Sequence, residues 1–229
     1  MTKIQHEQLF KQTRLAMSKK DRSYRSSLSF VIVGFLSLVA LAKPASATDN
    51  SVLGPKPLQS SINKGLTSPT ATFMKSELGV PGALTTDCSP VTNSKIKAQI
   101  VTEDVGPFKV TGLKPAVSAI RRVFQKVKIA DRELYNQLGS AGMLCVRKVR
   151  GGSSFSNHSW GSAIDLTVNR KLDVRGDNKT QLGLKKLYPY FYAEKFYWGA
   201  GYSTTEDSMH FEVSQELITQ WKKSGEIPR

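Results

Sequence analysis

At 229 residues the chain has room for one domain of ordinary size, with residues to spare at its first end. Thirty-three Lys and Arg against 18 Asp and Glu leave a formal net charge of +15, yet no Lys/Arg block is long enough to be a binding tail. Residues 1–27 are polar and basic, residues 28–42 (LSFVIVGFLSLVALA) are continuously apolar, and Ala45-Ser46-Ala47 follows. This is the layout of a secretory signal peptide cleaved after Ala47. The long basic lead-in also fits an uncleaved inner-membrane anchor, but the 15-residue apolar run falls short of the roughly 20 residues that span a bilayer. Without residues 1–47, 25 Lys and Arg face 16 Asp and Glu, so +9 remains. A basic exported domain suits a polyanionic neighbour, such as a cell wall or an anionic membrane surface, and argues against nucleic acid as a partner. The competing account is diffuse charge that only keeps the protein soluble.

Residues 48–70 are rich in Ser, Thr, Asn, Gly and Pro and read as a linker or a loosely attached arm, which leaves 71–229 as the functional domain. From Phe73 to Phe108 apolar residues are sparse and interrupted by Gly79, Pro81, Gly82 and Pro90, so short helices and loops are expected; residues 95–101 fit helix or strand. Residues 115–129 predict a helix, with Val117, Ile120, Phe124 and Val127 on one face and Pro115 at its start. Its opposite face carries Arg121, Arg122 and Lys126 and is expected to be solvated. A second helix is expected from Asp131, as N-cap, to Leu138.

Residues 143–149 (MLCVRKV) read as a strand with Cys145 and Arg147 on one face. Ala163 to Val168 is a second, largely apolar strand whose single charge is Asp165. The polar stretch that follows, with Arg175-Gly176-Asp177, reads as an exposed turn. A helix broken near Pro189 is expected over 182–196, a strand over 209–213 and a closing helix over 215–223. Phe191, Tyr192, Phe196, Tyr197, Trp198 and Tyr202 form the densest aromatic cluster. It fits core packing or a pocket wall, with Trp198 and Tyr202 the wall candidates because glycines flank them. The sum is an α+β domain: a small, mostly antiparallel sheet carrying a metal site, flanked by helices.

Cys88 and Cys145 are the only cysteines, and an oxidising compartment makes a disulfide between them the default. The chain has three histidines; His6 lies in the leader, which leaves His158 and His210, each in a carboxylate-bearing stretch. Two imidazoles and a carboxylate are a common ligand set for catalytic zinc, which keeps a fourth position for water. His158, Asp165 and His210 can supply it. A lone carboxylate on an apolar strand needs a cation or a donor facing it, and Gly161 lets the chain turn between His158 and that strand. Asp207 is three residues before His210, close enough for one to bind the metal and the other to reach a water on it. A serine-hydrolase triad of Ser156, His158 and Asp165 would lack a nucleophile-elbow sequence and leave His210 and Asp207 without a task. Glu206 is expected to be exposed, and Glu212 to orient a ligand from behind.

Ser156-Asn157-His158-Ser159-Trp160-Gly161-Ser162-Ala163-Ile164-Asp165 and Asp207-Ser208-Met209-His210-Phe211-Glu212 together resemble the M15 family of zinc D-alanyl-D-alanine carboxypeptidases and related peptidoglycan peptidases, in its bacterial extracellular branch. The resemblance covers about Phe73 to Val213 and is strongest after Gly142. It implies His158, Asp165 and His210 as zinc ligands, Asp207 as general base, Ser156 as a substrate contact, and an arginine upstream of the first ligand, either Arg147 or Arg150 with Arg147 preferred, to stabilise substrate or transition state. It implies a substrate containing D-amino acids, as in peptidoglycan stem peptides; with the leader, an exported protein is expected, periplasmic or extracellular at the cell wall, acting as a monomer. Two other accounts stay open: an endopeptidase cutting elsewhere in the stem, and an exported zinc-holding module that binds wall peptides without cutting them.

Overall fold

The computed structural model describes residues 48–228. The signal peptide or anchor, and His6, lie outside the described residues. Six α-helices and nine strands are present among the described residues, and no helix there is long and apolar enough to cross a membrane.

The core is organised on α3 (Lys114–Ala130), preceded by the short helices α1 (Ala71–Leu78) and α2 (Ser94–Lys97) and the hairpin β2 (Ile100–Asp104) and β3 (Lys109–Leu113). Pro115 sits in the first turn of α3, where its missing N–H costs nothing. Val117, Ile120, Phe124 and Val127 are completely buried, as the helical spacing predicts. The basic face is not merely solvated: Arg121 pairs with Glu103, while Arg122 and Lys126 both reach Glu194, at 2.7 and 2.9 Å. Asp131 caps α4 (Arg132–Gln137) by accepting from the Leu134 N–H at 2.8 Å.

The central sheet is antiparallel, in the order β4 (Leu138–Gly142), β5 (Ala163–Val168), β9 (His210–Val213), β8 (Phe196–Trp198), with β6 (Lys171–Leu172) also paired to β5. The β5–β9 register sets Asp165 directly opposite His210. One face of the sheet is an aromatic stack: Phe191 lies on Phe211 at 4.2 Å between ring centroids, and Trp198 lies on Phe211 at 5.6 Å. Helices α5 (Leu182–Ala193) and α6 (Gln215–Ser224) complete the domain. Pro189 is accommodated inside α5 without breaking it, and the helix ends at Ala193, two residues before Lys195 turns left-handed at φ 60°.

Two stretches depart from the sequence reading. Residues 143–149 are extended but do not join the sheet: β4 ends at Gly142 (φ 133°), and the backbone bonds of 145–148 go to loops instead. Val146 exchanges both bonds with Ser89, and the Cys145 N–H donates to the His158 carbonyl at 3.0 Å. Residues 48–70 lie along the domain as a packed arm. β1 (Leu53–Pro55) pairs with β7 (Lys179–Gln181), Asn50 is fully buried, and the Asn63 side chain exchanges two 2.9 Å hydrogen bonds with the backbone of Trp198.

The Cys88–Cys145 disulfide is formed, with Cα atoms 5.1 Å apart, and ties the 85–89 loop to the stretch leading to His158. It closes a loop between residues 57 apart in sequence. By restricting the unfolded chain it should stabilise by about 2–4 kcal/mol. Guanidinium unfolding of the Cys88→Ser/Cys145→Ser protein should therefore show a lower midpoint, with a slope that steepens as the opened unfolded chain exposes more surface.

Candidate metal centre

His158 lies in a 3-10 turn (Asn157–Trp160) that ends at Gly161, whose φ of 64° is left-handed. A Cβ there would sit 2.8 Å from the Gly112 Cα and the Leu113 N, so only glycine fits the approach of this turn to β3. The turn delivers His158 beside the Asp165–His210 pair of the sheet. His158 Nε2, His210 Nδ1 and Asp165 Oδ1 converge, at separations of 2.9 Å (His210–Asp165), 3.2 Å (His158–Asp165) and 3.2 Å (His158–His210).

The outer partners set the tautomers. His158 Nδ1 is 2.8 Å from the Met143 carbonyl, which can only accept, so Nδ1 carries the proton and Nε2 presents a lone pair. His210 Nε2 is 2.9 Å from Glu212 Oε2, so it donates there and Nδ1 presents a lone pair. Glu212 is buried, accepts from Asn157 Nδ2 at 2.7 Å on Oε2 and from Ser68 Oγ at 2.6 Å on Oε1, and is held ionised. Burial pushes its pKa up, but the His210 and Asn157 bonds overcome that and lower it.

Three acceptors thus face one another, and a positive charge has to sit between them. A second proton on His210 would serve: burial opposes it, but the bonds to Asp165 and Glu212 push the His210 pKa well above the ordinary range. Burial likewise opposes ionisation of Asp165, and the two histidines override it, holding its carboxyl far below the ordinary range. A metal ion would also serve. Tetrahedral ligands about 2.0–2.1 Å from zinc lie roughly 3.3 Å from one another, close to the spacing here. The donor set and both tautomers fit zinc.

The centre opens into a cleft of about 650 Å³. Arg147, Arg150, Ser156, Tyr202, Asp207 and Glu212 all line it, as do the three converging residues. Arg147 donates one guanidinium N–H to the Lys148 carbonyl at 3.0 Å. Asp207 Oδ1 is buried with no partner, and Oδ2 is 3.5 Å from Arg175 Nε. Burial pushes the Asp207 pKa up, and the Asp165 carboxylate adds to it against the pull of His210 and Arg175. The Tyr202 ring is 6.0 Å from that of His210, and its hydroxyl pKa is pushed well up by burial and then by Glu212.

Trp198 is a correction. It is 1% exposed, stacks on Tyr188 and Phe211, donates from Nε1 to the Ser208 carbonyl at 2.7 Å, and forms no part of the cleft wall. The flanking glycines do not turn it outward, because β8 pairs with β9 and points it into the aromatic stack. Glu206, expected at the surface, is 3% exposed and holds the 173–178 loop by accepting from the Asn178 N–H at 2.8 Å. Arg175 stands in the exposed turn expected of this stretch and also lines the cleft. Nothing in its local sequence signals this.

Asp173, at the start of that loop, accepts from the Gln181 N–H on Oδ2 while Oδ1 is buried without a partner. Burial, followed by repulsion from Asp177, Glu206 and Asp207, raises its pKa to about 6 from 3.8. The folded state therefore binds the extra proton between these values, and stability falls as pH rises through about 6. Asp173→Asn should remove that slope: thermal midpoints from pH 4 to 7 should fall for the wild type relative to the variant.

A comparison with curated proteins finds no match to the chain. Residues 150–213 match the family model described as D-alanyl-D-alanine carboxypeptidase. The matched span holds His158, Asp165, Asp207 and His210 and stops at the end of β9. Over this segment the chain is similar to that family of peptidases.

Proposed function

We propose that the protein is a zinc-dependent peptidase that hydrolyses the terminal D-Ala-D-Ala bond of peptidoglycan stem peptides outside the cytoplasm. The observation that carries this reading is the convergence of three lone pairs from His158, His210 and Asp165 in a cleft that Asp207 also lines. His158 Nε2, His210 Nδ1 and Asp165 Oδ1 would hold the zinc. Bound there, zinc supplies an acidified water and polarises the scissile carbonyl.

The chain's own groups do the rest. Met143 and Glu212 lock the two imidazoles in the tautomers the centre needs. Asp207 accepts the proton of the attacking water and returns it to the leaving nitrogen. Arg147 or Arg150 offsets charge growing on the carbonyl oxygen, and Ser156 and Tyr202 position the peptide. The family match, the disulfide and the basic charge support a cell-wall substrate and an exported protein. Mass analysis of purified peptidoglycan digested by the zinc-loaded protein tests the reading: stem peptides should shorten by one terminal alanine. Products cut elsewhere in the stem would make it an endopeptidase, and no cleavage would leave a binding module.

A further inference from the structure

Arg175 is the cleft cation that neither the motifs nor the proposed mechanism uses. Its place is built rather than accidental. The Gly176 N–H donates to the Glu206 carbonyl at 3.1 Å, the Asn178 N–H to the buried Glu206 carboxylate at 2.8 Å, and the Gln181 N–H to Asp173 at 2.7 Å. Gly176 has φ 83°, and a Cβ there would crowd Thr205 at 3.2 Å. The loop is thus stapled to the 205–207 stretch, and Arg175 is stapled beside Asp207.

The guanidinium comes nearest to Asp207 through Nε, at 3.5 Å, long for a hydrogen bond. It makes no hydrogen bond to another side chain or carbonyl among the described residues, so the planar fork of its two terminal nitrogens stays available in the cleft. That fork matches a carboxylate in two parallel bonds.

Chemistry then says which carboxylate. A base that returns its proton to the leaving nitrogen must come within about 2.6–3.2 Å of it. In an amino acid the carboxylate carbon is two bonds from that nitrogen, about 2.5 Å away. A cation touching the base therefore stands where a one-residue leaving group puts its carboxylate. A leaving group that continues as a peptide puts a neutral carbonyl there. We propose that Arg175 is a specificity-determining residue that pairs with the C-terminal carboxylate of the leaving residue and so selects substrates ending one residue beyond the cleaved bond. This rests on the hydrolytic reading above.

The test compares a stem peptide ending in D-Ala-D-Ala with the same peptide as its C-terminal amide, using the zinc-loaded full domain. The wild type should prefer the acid. Arg175→Gln should lose roughly 10- to 100-fold in kcat/KM on the acid, mainly through KM, so that the acid-to-amide ratio falls toward one. Arg175→Lys, which keeps the charge without the fork, should recover part of the ratio. Equal losses on acid and amide would overturn the proposal and make Arg175 a positioning residue for Asp207, and a wild type with no preference for the acid would overturn it too. A wild type that cuts neither peptide would instead bring down the hydrolytic reading itself, and this inference with it.

Discussion

His158→Ala and His210→Ala should each abolish both zinc retention and hydrolysis. Either change removes one of three converging ligand atoms that lie 2.9–3.2 Å from one another, and two ligands do not make a zinc site of this class. The loss should exceed the about 10- to 100-fold expected when only an outer partner of a ligand is removed. The readout need not be catalytic. A ligand that binds only the folded state stabilises it by about 2.7 kcal/mol at a hundredfold excess over its Kd. Zinc should therefore raise the thermal midpoint of the wild type and leave both variants unmoved. Metal analysis showing unchanged zinc in the two variants would remove the centre from the account. His210→Ala has a further cost, since it strips Glu212 of the imidazole N–H it accepts from while leaving that carboxylate buried.

Asp207→Asn separates base from ligand. The amide keeps the shape but cannot take up the water's proton, so turnover should fall by about 10²- to 10⁴-fold while zinc content stays at that of the wild type. The fold should tolerate the change. Burial raises the Asp207 pKa, which means its ionised form is disfavoured in the folded protein, and a neutral side chain there removes that penalty near neutral pH. Normal hydrolysis by Asp207→Asn would rule Asp207 out as the base, and loss of zinc would make it a fourth ligand. Stopped-assay kinetics and metal analysis on one preparation decide between these outcomes.

What the sequence determined by itself is local. Helical spacing placed α3 and its buried face within a residue or two, because Val117, Ile120, Phe124 and Val127 on one stripe have only one way to hide. The β5 strand was readable end to end, and Asp165 stood out on it because an unpaired carboxylate on an apolar strand needs a partner. Two histidines in carboxylate-bearing motifs named the candidate ligands, and an even cysteine count named the disulfide. The tertiary structure decided everything that depends on register and on distant backbone. Only the β5–β9 pairing puts Asp165 opposite His210, and only the Met143 carbonyl, 15 residues from His158, selects that ring's tautomer. Trp198 and Tyr202 are near neighbours with similar glycine flanks, yet one is sealed in the aromatic stack and the other lines the cleft, because strand pairing ends between them. Glu206 was misjudged for the same reason. A charged residue in a polar stretch looks exposed until a contact some 30 residues away, here from the 173–178 loop to Glu206, gives its burial a partner.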